Sequence, residues 1–140
     1  MNELILENLS VLPHKVYPHE EVIVKRKEKL LNYLKTSYEE LIIPSILVCS
    51  ESYVIIDGHH RYFALLELGV NKIPITTINY KNSKIITHSE KAKQVSKSEI
   101  IKAGLSGRKF KPKTSIHRIS IDHNNHLPII LLSKLSLVNK

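Results

Sequence analysis

Hydrophobic positions in the first 88 residues change their spacing several times, which predicts alternating strands and helices. Short runs rich in β-branched residues predict buried strands over 42–49, where Pro44 interrupts early, over 73–80 and, more briefly, over 85–88. Between residues 22 and 35, apolar side chains recur on one side and basic ones on the other, which predicts a helix with a solvated basic face. This order predicts one compact α+β unit, a small mixed sheet with packed helices.

A buried strand that runs directly into a helix is the most informative segment. Residues 53–56 are apolar and β-rich, and residues 59–68 place apolar side chains on one side before Gly69, a suitable residue just past a helix end. Between them, Gly58 lets the backbone bend and approach a ligand closely. The first N–H groups of the helix, with the partial positive charge of its N-terminus, then face an anion. The segment therefore predicts a phosphate site.

The side chains of this turn add chemistry. His59, His60 and Arg61 supply further hydrogen-bond donors, and Asp57, at the strand end, is suited to hold Mg²⁺ or to orient a histidine. The alternative is a solvated loop in which Asp57 caps the helix and Arg61 pairs with Glu67 or a neighbouring acid. Three consecutive donors after Asp-Gly favour the binding site.

These residues also carry a family resemblance. The run Asp57-Gly58-His59-His60-Arg61-Tyr62 resembles the signature of the ParB/sulfiredoxin superfamily, in particular its free serine kinase branch, in which DGHHR follows a strand and opens a helix. Sulfiredoxins carry a cysteine in this turn, whereas the single cysteine of this chain, Cys49, lies upstream in an apolar run. DNA-partitioning ParB proteins usually show a Gly-Glu-Arg-Arg type of box. The double histidine therefore favours the kinases without excluding a ParB-like nucleotide binder.

A second motif, Pro18-His19-Glu20, resembles a Pro-His-Glu segment that precedes a helix in the serine kinases. The resemblance implies that Glu20 is the general base that takes the proton of the serine hydroxyl. In phosphoryl transfer the protein mainly has to position the phosphates and to orient the attacking oxygen, and one carboxylate is enough to orient that oxygen. The alternative is that Glu20 and Glu21 lie in the first turn of a helix, where acids are stabilising.

Positive charge is concentrated in the C-terminal part. Residues 1–80 carry 8 basic and 10 acidic side chains, whereas residues 81–140 carry 13 basic and 3 acidic ones. We therefore predict a nucleotide-binding core over 1–90 and a basic extension over 91–140, packed on the core. Within the extension, Ser96 and Glu99 have the spacing of a capping box, which predicts one short helix over 96–106.

The segment 110–118 resembles a Pro-Lys-Thr-Thr-Arg-His segment of short relatives of this family, with Ser115 and Ile116 in place of Thr and Arg. Lys113, Thr114 and His117 are candidates to contact a phosphate or the carboxylate of the amino acid. The alternative is a basic connector.

Together, the resemblance implies an enzyme that transfers a phosphoryl group from ATP or ADP, with Mg²⁺, to free L-serine. Glu20 and Asp57 are then the catalytic candidates, and the residues from Gly58 to Arg61 cradle the phosphates. The alternative function is a nucleotide-dependent DNA-binding module like ParB, which the basic extension favours although no helix-turn-helix follows the core. No apolar run approaches the length of a membrane span and no secretory signal is visible, so we expect a cytoplasmic protein.

Overall fold

The computed structural model describes residues 4–36, 40–88, 94–112, 114–120, 126–128 and 132–136. The helices are α1 (Val24–Lys35), α2 (His59–Leu68) and α3 (Lys97–Ser106), and a short 3₁₀ turn spans Pro13–Lys15. The strands are β1 (Ile5–Val11), β2 (Glu40–Pro44), β3 (Ile46–Cys49), β4 (Ile55–Asp57), β5 (Ile73–Ile78), β6 (Ile85–His88), β7 (Ile116–Ser120), β8 (His126–Pro128) and β9 (Leu132–Ser136). None of the helices in these ranges is long and apolar enough to cross a membrane.

A mixed four-stranded sheet in the order β1-β5-β3-β4 forms the centre of the molecule. Strands β3 and β5 run parallel, with Ile46 opposite Ile75, whereas β1 pairs with β5 and β4 with β3 in antiparallel fashion. All residues of β3 and β5 are buried, because helices cover both faces of these central strands. The predicted α+β class, a small mixed sheet with packed helices, is confirmed.

The two faces of the sheet carry two separate hydrophobic clusters. Alternate residues of β3 point to opposite faces, so Ile46 joins the cluster of α1 and α2 while Leu47 joins that of α3. The first cluster includes Leu34 and Leu65, and the second includes Ile100 and the buried Cys49. The sheet is therefore held between α1 and α2 on one side and α3 on the other.

One strand prediction is corrected by the structure. The segment 42–49 is not one strand: β2 pairs with β9, whereas β3 lies inside the central sheet. Because Pro44 has no N–H group to donate, it suits the end of β2, and the chain changes sheets at Ser45. The C-terminal part also contains strands in addition to its one predicted helix, since β7 pairs with β6 and with β8.

Helix α3 confirms the capping box. The Ser96 hydroxyl accepts from the Glu99 N–H at 3.1 Å, and the Glu99 carboxylate accepts from the Ser96 N–H at 3.1 Å. Two residues before its end, the helix packs so closely against the residue that precedes β4 that a Cβ on Gly104 would lie 2.6 Å from a methyl group of Val54.

We expect Gly104→Ala to lower the free energy of unfolding by about 1–3 kcal/mol, because overpacking outweighs the better helix propensity of alanine. Urea denaturation measures this change. Lys102→Ala, on the exposed side of the same helix, is the control and should alter stability by no more than about 0.5 kcal/mol. An unchanged or raised stability of Gly104→Ala would show that the helix can move away from Val54 at little cost.

Candidate functional site

The predicted turn lies between β4 and α2. Strand β4 ends at Asp57, and Gly58 follows with φ of 106°, a conformation that side chains disfavour. A Cβ on Gly58 would lie 2.9 Å from Nη2 of Arg61 and 3.2 Å from Cα of Ile46. Glycine is therefore required both by the backbone angle and by the close approach of its neighbours.

The two histidines of the turn hold a neighbouring segment. Nε2 of His59 accepts from the N–H of His19 at 3.0 Å, and Nε2 of His60 accepts from the N–H of Ile23, also at 3.0 Å. Burial lowers the pKa of His59 well below its ordinary value, so its imidazole is neutral, as an acceptor must be. These contacts fix residues 19–23 against the start of α2. Phosphate binding by the two histidines stays a prediction.

Arg61 faces back across the turn. Its Nη2 donates to Asp57 Oδ2 at 3.1 Å and to the carbonyl oxygen of Ser45 at 3.2 Å, while its buried Nε has no hydrogen-bond partner among the described residues. Arg61 thus pairs with a neighbouring acid, and Glu67 instead lies 3.7 Å from Lys27. Within the described ranges no side chain caps α2, so Asp57 is not its cap. The Asp57 side chain remains about half exposed.

Glu20 is a buried acid, only 8% exposed. Its Oε2 accepts from the Ser115 hydroxyl at 3.1 Å and from the Ser115 N–H at 3.4 Å. Helix α1 begins at Val24 and has no acid in its first turn, so the helix-terminus explanation of Glu20 and Glu21 does not apply. Glu20 lies instead in an extended segment that forms a bridge with Phe110.

His19 lies beneath this carboxylate and is fully buried. Its Nδ1 donates to the carbonyl oxygen of Ile55 at 2.6 Å, and its Nε2 lies 2.9 Å from Ser115 Oγ and 3.9 Å from Glu20 Oε2. Burial lowers the pKa of His19 to about 4, so the ring is neutral at physiological pH. The neutral tautomer with a proton on Nδ1 leaves Nε2 as an acceptor, which competes with Glu20 Oε2 for the single proton of the Ser115 hydroxyl.

Lys113, Thr114 and His117, the candidate phosphate or carboxylate contacts of the C-terminal part, differ in their positions. Lys113 lies outside the described residues. Thr114 Oγ1 donates to the carbonyl oxygen of Lys111 at 2.6 Å and does not line the cavity. His117 is buried, with Nε2 2.7 Å from the Tyr80 hydroxyl, and burial lowers its pKa to about 3. The contacts of Thr114 and His117 are thus with the protein itself.

A polar cavity of about 270 Å³ brings the two motifs together. It is lined by Glu20, Arg26, Ile56, Asp57, Gly58, His59, His60, Arg61, Ser115 and Ile116. Two lining residues were not predicted to belong to the site. The sequence placed Arg26 on the solvated side of α1, and Ser115 stands where the resembling family segment has a threonine. We call this space the site cavity.

A larger cavity of about 740 Å³ lies beside α3, where Ile101 and Leu105 contribute to a mostly apolar wall. Its ionic groups are Lys81, Lys97, Lys102 and Glu51, and Glu51 pairs with Lys81 at 3.3 Å. The site cavity is the better candidate for chemistry because its polar groups converge on one space and include a buried carboxylate beside a helix N-terminus.

Comparisons with known proteins agree with the motifs. No family model matches the chain. A ParB-like protein of Sulfolobus acidocaldarius is 37% identical over 75 residues, which are 54% of this chain and 36% of that protein. An ATP-dependent L-serine kinase of Staphylothermus marinus is 34% identical over 68 residues, which are 47% of this chain and 27% of that protein. The chain therefore spans about a third of the length of the curated relatives it matches.

The fold extends the likeness to almost the whole chain. A solved free serine kinase in complex with AMP superimposes with a TM-score of 0.69 and 14% identity, covering 94% of this chain and 93% of the other. This chain therefore has the fold of the free serine kinases, and its predicted resemblance to them is confirmed.

Proposed function

We propose that the protein transfers a phosphoryl group from ATP or ADP to the hydroxyl of free L-serine, which yields O-phospho-L-serine. One observation carries the proposal: the buried carboxylate of Glu20, hydrogen-bonded to a serine hydroxyl, shares a cavity with the N-terminus of α2. The sequence similarity to ATP-dependent L-serine kinases supports the same conclusion.

The phosphates are assigned to the N-terminus of α2. The first N–H groups of a helix point outward along its axis and favour an anion, and those of His59, His60 and Arg61 lie beside the close-packed Gly58. With Nε2 as an acceptor, each ring carries its proton on Nδ1, so Nε2 itself cannot donate to a phosphate, and the main-chain N–H groups at the start of α2 are assigned as the phosphate donors. Arg61 and Arg26 add positive charge at the same cavity.

Glu20 is assigned as the general base. The serine hydroxyl donates to its carboxylate, the oxygen attacks the terminal phosphorus, and the proton passes to Glu20 as the bond to the leaving nucleotide breaks. The present contact of this carboxylate with Ser115 shows that it can accept a hydrogen bond from a hydroxyl group.

The donor set around Asp57 fits Mg²⁺. Within the described ranges, no group of three or more His, Cys, Asp or Glu side chains is arranged to hold a metal ion alone. Mg²⁺ commonly takes one or two carboxylates together with water and phosphate oxygens, and the half-exposed Asp57 supplies such a carboxylate beside the turn. The ion, when bound, screens the charge of the phosphates. Asp57 also orients Arg61.

A ParB-like DNA-binding module is the alternative, and the name of the Sulfolobus acidocaldarius relative favours it. The two functions share a nucleotide site but differ in turnover. Only the kinase consumes a nucleotide in proportion to free serine.

The direct test is incubation with L-serine, Mg²⁺ and either ATP or ADP, followed by mass spectrometry of the small molecules. We expect phosphoserine to form in step with ADP or AMP, and not when D-serine or glycine replaces L-serine. Nucleotide binding without turnover of serine or other hydroxyl-bearing acceptors would reject the kinase and favour the DNA-binding alternative.

We expect Arg61→Ala to weaken nucleotide binding by about 1.5–3 kcal/mol, which is roughly a 10- to 150-fold rise in Kd, because a charge-assisted contact to phosphate is lost. Calorimetric titration measures this. Lys25→Ala removes an exposed cation from α1 that does not line the site cavity, and it controls for net charge. Equal affinities of Arg61→Ala and the unsubstituted protein would make the turn purely structural.

A further inference from the structure

Ser115 precedes β7 and faces the site cavity from the C-terminal part of the chain. Its Oγ lies 3.1 Å from Oε2 of Glu20 and 2.9 Å from Nε2 of His19. Its own N–H points to the same carboxylate oxygen at 3.4 Å. The hydroxyl is thus held beside the carboxylate assigned as the base.

The surroundings of this hydroxyl are those of a nucleophile. Since Nδ1 of His19 donates to the carbonyl oxygen of Ile55, Nε2 can only accept, so the Ser115 hydroxyl has two acceptors within reach for its one proton, the Glu20 carboxylate and this ring nitrogen. An activated hydroxyl within hydrogen-bond reach of a base, which a third group orients, is the arrangement that nucleophilic catalysis uses.

The acceptor group of the proposed reaction is a serine hydroxyl on the Glu20 carboxylate, and Ser115 presents this group from the chain itself. We propose that Ser115 is a phosphorylation site of the protein's own activity, modified in the absence of free serine. The inference rests on the proposed function for its base and its nucleotide, but not for free serine as the acceptor.

The step balances without a further reactant. Ser115 Oγ attacks the terminal phosphorus of the nucleotide at the N-terminus of α2, and an Oγ–P bond forms. The bond between that phosphorus and the bridging oxygen breaks, and its electron pair leaves with ADP, or with AMP when ADP is the donor. The hydroxyl proton passes to Glu20.

Free serine and Ser115 then compete for one carboxylate. Free serine must displace the Ser115 hydroxyl from Glu20, so added serine slows modification of the chain. A phosphate on Ser115 places negative charge against Glu20 and occupies the acceptor position. The modified chain is therefore expected to turn over free serine more slowly.

The experiment incubates the full chain with Mg²⁺ and ATP or ADP, in parallel reactions with and without L-serine. Intact-mass measurement reports phosphoryl groups per chain, and the supernatant of the same reaction reports free phosphoserine. Trypsin releases a peptide of residues 114–118, and fragmentation within it distinguishes Ser115 from Thr114. Ser98→Ala, which removes an exposed hydroxyl from α3, is the control for Ser115→Ala.

We expect one phosphoryl group on Ser115 without serine, a slower gain with serine, and loss of the modification in Ser115→Ala and Glu20→Gln but not in Ser98→Ala. Modification of Ser115 without phosphoserine formation supports this inference and rejects the proposed function. Phosphoserine formation with an unmodified Ser115 rejects the inference alone. Absence of modification with either donor, or modification confined to other residues, also overturns it.

Discussion

Glu20→Gln is expected to lower the turnover of free serine by about 10²- to 10⁴-fold, the usual contribution of a general base. The amide keeps the shape of the side chain and accepts hydrogen bonds from Ser115, but it cannot take the proton of the attacking hydroxyl. Nucleotide affinity should stay nearly unchanged, because the phosphates are assigned to the other wall of the cavity. Initial rates of phosphoserine formation and calorimetric titration separate the two effects.

The neighbouring Glu21 offers a matched control. Its side chain is exposed and lies 3.5 Å from Lys111, and it does not line the site cavity. Glu21→Gln makes the same chemical change one residue away and should leave turnover intact. If both variants retained full turnover, Glu20 would not be the base; if both lost it, the loss would reflect a disturbed segment rather than missing proton transfer.

Acid is expected to destabilise the folded protein steeply below pH 6.5. Burial lowers the pKa of His19 to about 4, that of His117 to about 3, and that of His59 well below 6.5. The unfolded chain therefore binds protons at these rings where the folded chain does not. The contribution of the neutral rings to the free energy of unfolding is fully present above pH 6.5. It is lost as the pH falls towards 4, by up to about 1.4 kcal/mol per pH unit for each ring.

Urea unfolding at several pH values between 7 and 4.5 measures this slope. His117→Gln removes one titrating ring and should reduce the slope by up to about 1.4 kcal/mol per pH unit. A stability that does not vary between pH 6.5 and 5 would mean that the buried rings take up protons without unfolding.

The helices and the turn were predictable because their signals are local. Apolar spacing fixed α1 and α2, the Ser96–Glu99 box fixed the start of α3, and Asp-Gly after an apolar strand marked the bend. Each signal depends on residues within a few positions of one another, and packing then reinforced the local preference. The 53–56 segment also formed its strand, although β4 begins two residues later and includes Asp57.

The assembly of the site was less predictable because its contacts are remote in sequence. Ser115 and Glu20 are 95 positions apart, and the histidines of the turn bind backbone groups 37 and 40 positions upstream. The spacing of apolar residues along the chain does not indicate which distant residues will pair. A histidine after Asp-Gly has the same sequence signal whether its ring faces a ligand or a neighbouring strand. The pairing of β2 with β9 was missed for the same reason.

The hydrogen bonds made by the imidazole nitrogens affect which metal ions the site can bind. Zn²⁺ and Cu²⁺ bind readily to neutral imidazole nitrogens, and the site holds several histidines within a few ångströms. Yet Nε2 of His59 and of His60 accepts a backbone N–H, Nδ1 of His19 donates to a carbonyl oxygen, and Nε2 of His19 lies 2.9 Å from Ser115 Oγ. A soft cation would have to break these bonds, whereas the half-exposed oxygens of Asp57 are accessible to a hard one. The histidine nitrogens are thus engaged with the folded chain, whereas the Asp57 carboxylate keeps half of its surface exposed for the Mg²⁺ of the proposed reaction.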